Sequence, residues 1–207
     1  MLRILGKRSS INVRKVLWTC DEIGLVYQHE EWGTPDLPLS AGEFSSLNPK
    51  QLVPVLIDDG ECLTESNTII RYLALKHGRR DLLPAEAMAR ARVEEVMDWQ
   101  ATELNTSWRI AFQALVRGRR DLWSQPHIER SLAEWAVQMR LLEDRLAATG
   151  AYVCGITFTL ADVVIGLSAN RWLEAPMERP ALPAVAGYMA RLGARDAAKP
   201  YLGAGTD

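Results

Sequence analysis

Two serines and an asparagine stand just before and within the first turn of a predicted helix, where side chains can hydrogen bond to an anion. The run is Ser9-Ser10-Ile11-Asn12, and apolar residues then recur at helical spacing from Val13 to Ile23. A helix N-terminus carries free N–H groups and the positive end of the helix dipole, so hydroxyl and amide hydrogens beside it favour a bound negative charge. The alternative from the residues alone is that Ser9 or Ser10 is an ordinary N-cap and that Asn12 lies on the surface.

A second candidate site lies between residues 48 and 72. Pro54 restricts Val53 to extended conformations, and with a cis bond the Val53 amide and carbonyl would be free to pair with an extended peptide. Ser66 stands where the next helix should have its N-cap, and the start of that helix would attract a carboxylate. Glu65 beside it can pair with an ammonium group. The three features fit a ligand that carries a carboxylate and an amine on one carbon, joined to a peptide unit. Glutathione is such a ligand.

The same stretch resembles the glutathione-binding half of the cytosolic glutathione transferases. The matching pieces, in chain order, are Asn48-Pro49, Val53-Pro54-Val55-Leu56, the Asp59-Gly60 turn, Leu63-Thr64-Glu65-Ser66, Ile69 and Tyr72. Further along, Gly155, Phe158, Thr159, Ala161 and Asp162 match the pattern of the buried helix in the second domain of that family. The resemblance covers nearly the whole chain and is closest to the bacterial theta-like, serine-type transferases.

The resemblance implies a catalytic role for the first site. Ser10 falls at the position of the family's catalytic serine or threonine, so it is expected to donate a hydrogen bond to the glutathione thiolate. Asn12 falls where some bacterial members use an asparagine amide and is expected as a second donor or a substitute, with Ser9 third. A tyrosine-type site is excluded on this alignment because residues 1–26 contain no tyrosine, and a cysteine-type site is disfavoured because residues 6–12 contain no cysteine.

The resemblance also implies which residues hold glutathione. The backbone at Val53 should meet its cysteinyl unit, and Glu65 with Ser66 should hold its γ-glutamyl end. Either Lys50 or Gln51 falls where a side chain often meets the glycine carboxylate. The expected glutathione-binding residues are Lys50, Gln51, Val53, Pro54, Glu65 and Ser66.

The pocket for the second substrate is expected between the Ser10 loop and the first helices of a second domain. Its candidate residues are Trp108, Arg109 and Phe112. A spacing of four places Trp108 and Phe112 on one helix face. Ordinary core packing explains that spacing equally well.

Hydrophobic periodicity places these sites in two domains. In residues 1–78, apolar runs and turn signals give the order β-α-β-loop-β-β-α, which is that of an α/β thioredoxin-like domain. Asp59-Gly60 between two apolar runs predicts a two-residue hairpin turn. Beyond a linker at 78–84 no strand pattern remains. Residues 85–207 are therefore predicted to form an all-α helical bundle, which would supply the electrophile pocket and part of a dimer interface.

Four helical segments are predicted in the second domain. One pattern runs from 85 to 116, a second opens with Pro126 in its first turn and stops at Gly150, and the last covers 184–192. Between them, Thr159 and Asp162 have the spacing of a capping box at the start of a buried helix. Residues 196–207 are predicted to form a loosely ordered tail.

Composition excludes several classes of protein. The 207 residues are 48% hydrophobic with a net charge of −2, which gives no indication of binding to nucleic acid or to an anionic membrane. No stretch has the pattern of a secretory signal or a membrane span. Three cysteines, Cys20, Cys62 and Cys154, lack the spacing of a disulfide framework or a zinc site. We expect reduced thiols in a cytoplasm, each buried as a small hydrophobic residue.

Together with the resemblance, these features predict a cytoplasmic, bacterial glutathione transferase. It would be a homodimer that activates glutathione without a metal, for attack on small hydrophobic electrophiles in detoxification. Two alternatives stay open. One is a glutathione-dependent reductase of disulfides or peroxides, in which Asn12 matters more than Ser10, and the other is a transferase-like binding module without turnover.

Overall fold

A computed structural model of the chain, which describes residues 1–203, separates into two compact units, Met1–Leu83 and Pro84–Asp207. The first unit is built on a four-stranded sheet with three helices. Its strands are β1 Leu2–Leu5, β2 Tyr27–Glu30, β3 Val55–Asp58 and β4 Glu61–Thr64. Its helices are α1 Ile11–Ile23, α2 Gly42–Leu47 and α3 Ser66–Lys76.

The sheet has the strand order β2-β1-β3-β4 and is mixed. Strand β1 pairs in parallel with β2, β3 runs antiparallel to β1, and β4 runs antiparallel to β3. One group of buried side chains in this unit comprises Leu5, Trp32, Phe44 and Val55. The predicted order of a thioredoxin-like domain is confirmed.

The predicted hairpin turn at Asp59-Gly60 and the predicted helix end at Gly24 are both confirmed. Asp59 and Gly60 have φ values of 52° and 87° between β3 and β4, as a two-residue hairpin turn with both central residues at positive φ requires. Helix α1 ends at Gly24, which adopts the left-handed conformation at φ 80°.

The second unit is helical throughout its regular structure. Its α-helices are α4 Ala87–Trp99, α5 Asn105–Leu115, α6 Gln125–Thr149, α7 Leu160–Glu174 and α8 Pro183–Gly193. The single helix predicted over 85–116 is interrupted by a π-helical turn at Gln100–Leu104, where the N–H of Asn105 bonds to the carbonyl of Gln100. The predicted all-α character of the region after the thioredoxin-like domain is confirmed.

The predicted capping box at the start of α7 is present. Asp162 Oδ2 accepts hydrogen bonds from Thr159 N at 2.8 Å and Thr159 Oγ1 at 3.1 Å. Its Oδ1 accepts from Val153 N at 3.0 Å and from the Tyr188 hydroxyl at 3.2 Å. Burial raises the pKa of Asp162 to about 6, because it outweighs these hydrogen bonds, which favour the ionised form.

Helix α8 is capped by a residue from another helix. Its own N-cap residue, Leu182, has no side chain that can accept a hydrogen bond. Glu143 of α6 takes this role, with Oε1 at 2.9 Å from Ala184 N and Oε2 at 2.8 Å from Val185 N. One carboxylate therefore satisfies two free N–H groups and joins two helices.

Two expectations about exposure are wrong. Residues 196–203 are not a loose tail, because Ala198 and Tyr201 are buried and Gly203 N–H donates to Asn170 Oδ1 at 3.0 Å. The remainder of that predicted tail, 204–207, lies outside the described residues. Cys20 is buried as expected, but Cys154 is half-buried and Cys62 is exposed on β4, so these two are not fully buried hydrophobic residues. None of the helices in residues 1–203 is both long enough and apolar enough to span a membrane.

Candidate active site

Three segments that carry the predicted site residues meet at one end of the sheet. The register of the strands places Leu5 beside Val55, and Val55 beside Thr64. Because β3 is antiparallel to both neighbours, the end of β1, the start of β3 and the end of β4 lie side by side. The loop after β1, Pro54 just before β3, and the start of α3 just after β4 are therefore attached to neighbouring strand ends.

Gly6 allows the first and second of these segments to approach each other. A Cβ atom at Gly6 would lie 2.6 Å from Val13 Cγ2 and 2.7 Å from Val53 Cβ, and its φ is 143°. Backbone hydrogen bonds fix the loop that follows, from Gly6 N to Glu30 O at 2.8 Å and from Lys7 N to Trp32 O at 2.7 Å. The path from β1 to α1 is therefore held by β2 and the residues after it.

Ser10 occupies the N-cap position of α1 without acting as a cap. Its side chain makes no capping hydrogen bond, although its carbonyl accepts the first helical bond from Arg14 N at 3.0 Å. Across the described residues, the hydroxyls of Ser9 and Ser10 have no hydrogen-bond partner. The hydroxyl of Ser10 thus stays available at the positive end of α1.

Asn12, the second residue of α1, is joined to the start of α3. The Ser66 hydroxyl donates to Asn12 Oδ1 at 3.3 Å. Ser66 is buried and Asn12 half-buried, so Asn12 is not a simple surface residue. The predicted N-cap role of Ser66 is wrong: Glu65 holds that position at φ 68°, and Ser66 is the first helical residue. Its hydroxyl therefore lies against α1 instead of capping α3.

The Val53–Pro54 peptide bond is cis. Among residues 1–203, no hydrogen bond uses the amide or carbonyl of Val53. The loop before it is ordered by Asn48, whose Nδ2 donates to Leu52 O at 2.7 Å and whose Oδ1 accepts from Lys50 N at 3.2 Å. Gln51 within that loop is exposed and has a φ of 52°.

Two opposite charges flank this end of the sheet. Lys50 Nζ lies 3.1 Å from Glu65 Oε1, and both side chains are about two-thirds exposed, at 65% and 64%. Such an exposed ion pair contributes little to stability, so its partners can exchange readily. Along the chain, the accessible cation Lys50 is three residues before Val53, and the accessible anion Glu65 immediately precedes Ser66. No metal-binding cluster of His, Cys, Asp or Glu occurs in residues 1–203.

The residues predicted to bind the electrophile lie on α5 of the helical unit. Trp108 and Phe112 are buried and pack edge to face, with ring centroids 5.4 Å apart, while Arg109 is exposed. The Arg171 guanidinium lies over both rings, 4.4 Å from the Trp108 centroid and 4.1 Å from that of Phe112. Trp135 also contacts Trp108, with ring centroids 6.2 Å apart and ring planes tilted by 45°.

Comparison with known proteins shows the family of the chain. The chain is 32% identical over 200 residues to glutathione S-transferase GstB of Escherichia coli K12, an alignment that covers 88% of this chain and 96% of that protein. The chain belongs to the glutathione S-transferase family. It is therefore a member of a family of enzymes, and residues 5–81 match the family model of the glutathione S-transferase N-terminal domain.

Two further relatives place this transferase near the theta class. A solved structure of a theta class glutathione S-transferase from Xanthomonas axonopodis pv. citri, with glutathione bound, superposes with a TM-score of 0.89 at 32% identity. That superposition covers 100% of this chain and 99% of the other. Human glutathione S-transferase theta-1 is 35% identical over 127 residues, which is 58% of this chain and 52% of that protein. The predicted bacterial theta-like resemblance is confirmed.

Several polar residues of the transferase that touch these sites were not predicted from the sequence. Lys15 is buried, with Nζ 3.2 Å from Asn67 Oδ1, and this bond joins α1 to α3 one turn beyond Asn12. Arg171 was missed because only the packing of α7 on α5 brings it to the aromatic rings. For the bond between Lys15 and Asn67, the one signal in the sequence is that Asn67 directly follows Ser66.

Proposed function

We propose that this glutathione transferase binds glutathione at the end of the sheet where β1, β3 and α3 meet, and holds its sulfur as the thiolate. Ser10 is the first thiolate donor and Asn12 the second, with Ser9 as a further candidate. The observation that carries the proposal is the Ser10 hydroxyl, which stands at the N-cap of α1 without making a capping bond. An ordinary N-cap serine would use that oxygen within its own helix.

The energy required for thiolate formation is of the size that such groups supply. A free thiol has a pKa of about 8.5, and lowering it by two units takes about 2.7 kcal/mol. One hydrogen bond to a charged group contributes about 1.5–3 kcal/mol, and a helix N-terminus adds about 0.3–1 kcal/mol. One hydroxyl or amide at the start of α1 is therefore nearly sufficient without a general base.

The remaining parts of glutathione match groups that are free or weakly held. The unpaired amide and carbonyl of Val53 would bond to the cysteinyl backbone beside Pro54. Glu65 would pair with the γ-glutamyl ammonium, and Lys50 or Gln51 would meet the glycine carboxylate. The Lys50–Glu65 ion pair supports this because a zwitterionic ligand offers each side chain a replacement partner.

For the second substrate we propose a small hydrophobic electrophile. Trp108 and Phe112, which are almost fully buried, and the exposed guanidinium of Arg109 are the candidate binding groups of the helical unit. We further propose a homodimer in the cytoplasm, as the resemblance implies.

Titration of the purified protein with glutathione tests the proposal. Tryptophan fluorescence reports binding, and ultraviolet absorbance of the thiolate reports ionisation at neutral pH. We expect saturable binding with thiolate in the unchanged protein, and a loss of about 1.5–3 kcal/mol of thiolate stabilisation in Ser10→Ala, with a smaller loss in Asn12→Ala. Ser40→Ala, at an exposed loop serine, is the matched control and should leave both signals unchanged.

The other outcomes point to the two alternatives. Binding without thiolate would indicate a module that holds glutathione without activating it. Thiolate that depends on Asn12 and not on Ser10, with turnover of disulfides or peroxides, would indicate the reductase. Absence of binding at millimolar glutathione would overturn the proposal.

A further inference from the structure

We propose that Ser66 is a positioning residue for Asn12: its hydroxyl orients the Asn12 amide so that the Nδ2 hydrogens are available to the glutathione sulfur. The inference rests on the proposed function, because it concerns the same thiolate. It assigns to Ser66 a role in activating the thiol, in addition to its place at the glutamyl end.

The hydrogen bond between the two residues joins distant parts of the sequence. Ser66 Oγ lies 3.3 Å from Asn12 Oδ1 across 54 positions of the chain. Ser66 is 8% exposed, so water competes little for its hydroxyl. A hydroxyl at a helix start would ordinarily bond to its own helix, yet the Ser66 hydroxyl bonds to Asn12 of α1.

A second hydrogen bond fixes the two helix starts against each other. Lys15 Nζ donates to Asn67 Oδ1 at 3.2 Å, three residues after Asn12 and one after Ser66. Lys15 is also buried, with 3% of its surface exposed. The relative position of the first turns of α1 and α3 is therefore set by two bonds, and Ser66 meets a defined face of Asn12.

The hydrogen bond from Ser66 fixes which side of the Asn12 amide faces α3. A serine hydroxyl has one hydrogen, and an asparagine amide has one acceptor oxygen and two N–H donors. When Ser66 donates to Oδ1, the oxygen is turned toward α3 and both Nδ2 hydrogens remain, with no partner among residues 1–203. The reversed amide would present lone pairs to a thiolate and repel it.

The same count predicts how glutathione is held. Since the one hydrogen of Ser66 is given to Asn12, the glutamyl carboxylate is left to the free backbone N–H groups in the first turn of α3. Removing the Ser66 hydroxyl should therefore change the pKa of the bound thiol more than the affinity for glutathione.

The experiment compares Ser66→Ala with Thr68→Ala, which removes an exposed hydroxyl from the same helical turn. The pKa of bound glutathione is read from the pH dependence of thiolate absorbance, and Kd from tryptophan fluorescence. A net hydrogen bond of about 0.5–1.5 kcal/mol predicts that Ser66→Ala raises the thiol pKa by about half a unit to one unit. Kd should change by less than about threefold. Thr68→Ala should change neither quantity, and Ser66→Thr should restore the lower pKa.

A double-mutant cycle then identifies the route of the effect. If Ser66 acts through Asn12, the thiol pKa in Asn12→Ala/Ser66→Ala equals that in Asn12→Ala alone. Additive changes, or a weaker Kd with unchanged thiol pKa in Ser66→Ala, would overturn this inference. In that case the wild-type thiolate would still support the proposed function. Unionised glutathione in the wild-type complex would overturn both.

Discussion

A hydrogen atom is the only side chain that position 6 accommodates. The loop that leads to Ser10, helix α1 and the residue before Pro54 come together at Gly6, where a Cβ atom would overlap Val13 and Val53. The φ of 143° is also one that residues with a Cβ atom rarely adopt. Local conformation and close packing therefore require glycine for independent reasons.

We expect Gly6→Ala to lower the free energy of unfolding by more than the conformational cost alone. That cost is about 1–3 kcal/mol, and overlap with Val13 and Val53 adds to it. Gly24→Ala is the matched control, since Gly24 has a φ of 80° with nothing within 4 Å of a Cβ atom. Urea unfolding of both variants measures the difference. Equal losses would show that the backbone relaxes around the Gly6 side chain.

At the level of single residues, the sequence predicted conformations that a residue adopts by itself, but it did not predict hydrogen bonds between distant residues. The turns at Asp59-Gly60 and at Gly24 are predictable because these residue types adopt a positive φ more readily than others. Ser66 was misassigned as an N-cap because the hydroxyl finds Asn12, 54 positions away. Its preference for a local cap gave way to a contact that only the packing of α1 and α3 creates.

Among the helices, the carboxylate of Glu143 replaces a missing cap. It accepts from Ala184 and Val185 in the first turn of α8, where Pro183 has no N–H and Leu182 has no acceptor in its side chain. The sequence predicts the last helix over 184–192 but not its cap, since the acceptor comes from a residue 41 positions earlier on another helix.

Glu143→Ala should lower the free energy of unfolding by about 1–2 kcal/mol, because two N–H groups lose a charged acceptor at a helix N-terminus. Hydrogen exchange should become faster at the start of α8 in particular. Asp144→Ala, at the exposed neighbour on the same helix, is the control and should change the free energy by less than about 0.5 kcal/mol. If both variants lose the same amount, Glu143 does not act as a cap.

The stability of the whole molecule should depend on the charge of Asp162. Its folded pKa of about 6 lies above the value of about 3.9 in an unfolded chain. Folding therefore takes up a proton between these two values, so the free energy of unfolding falls as pH rises through this window and levels off above it. Carboxyls with lowered pKa act in the opposite sense: Glu30 beside Arg3 and Asp58 beside Lys76 lose their stabilisation only as pH falls below about 4.

Asp162→Asn removes the titration and so isolates it. The free energy of unfolding of the wild type, relative to that of Asp162→Asn at the same pH, should fall by about 2 kcal/mol between about pH 4.5 and about pH 7.5. Urea unfolding at several pH values measures this difference. A flat difference would mean that the four donors around the carboxylate hold its pKa near the unfolded value.

At the level of the whole chain, the sequence predicted the architecture better than the exposure of its parts. The thioredoxin-like order and the helical second region follow from periodicity, which each segment carries in itself. The burial of Tyr201 and the bond from Gly203 to Asn170 do not, because a short stretch of turns shows no pattern until it packs on α7.

The π-helical turn at Gln100–Leu104 makes this part of the chain sensitive to length. An α-helix rotates by about 100° per residue, and a π turn accommodates one residue more than the regular helix. Loss of a single codon within it would let α4 run straight into α5 with the later side chains on their present faces, whereas insertion of a further codon would turn all of them by about that angle. Trp108 and Phe112 would then leave the Arg171 guanidinium. Insertions among natural variants should accordingly be tolerated in the irregular loop at 31–41 and be rare at 100–104, where the loss of one residue is the length change that the fold can accept.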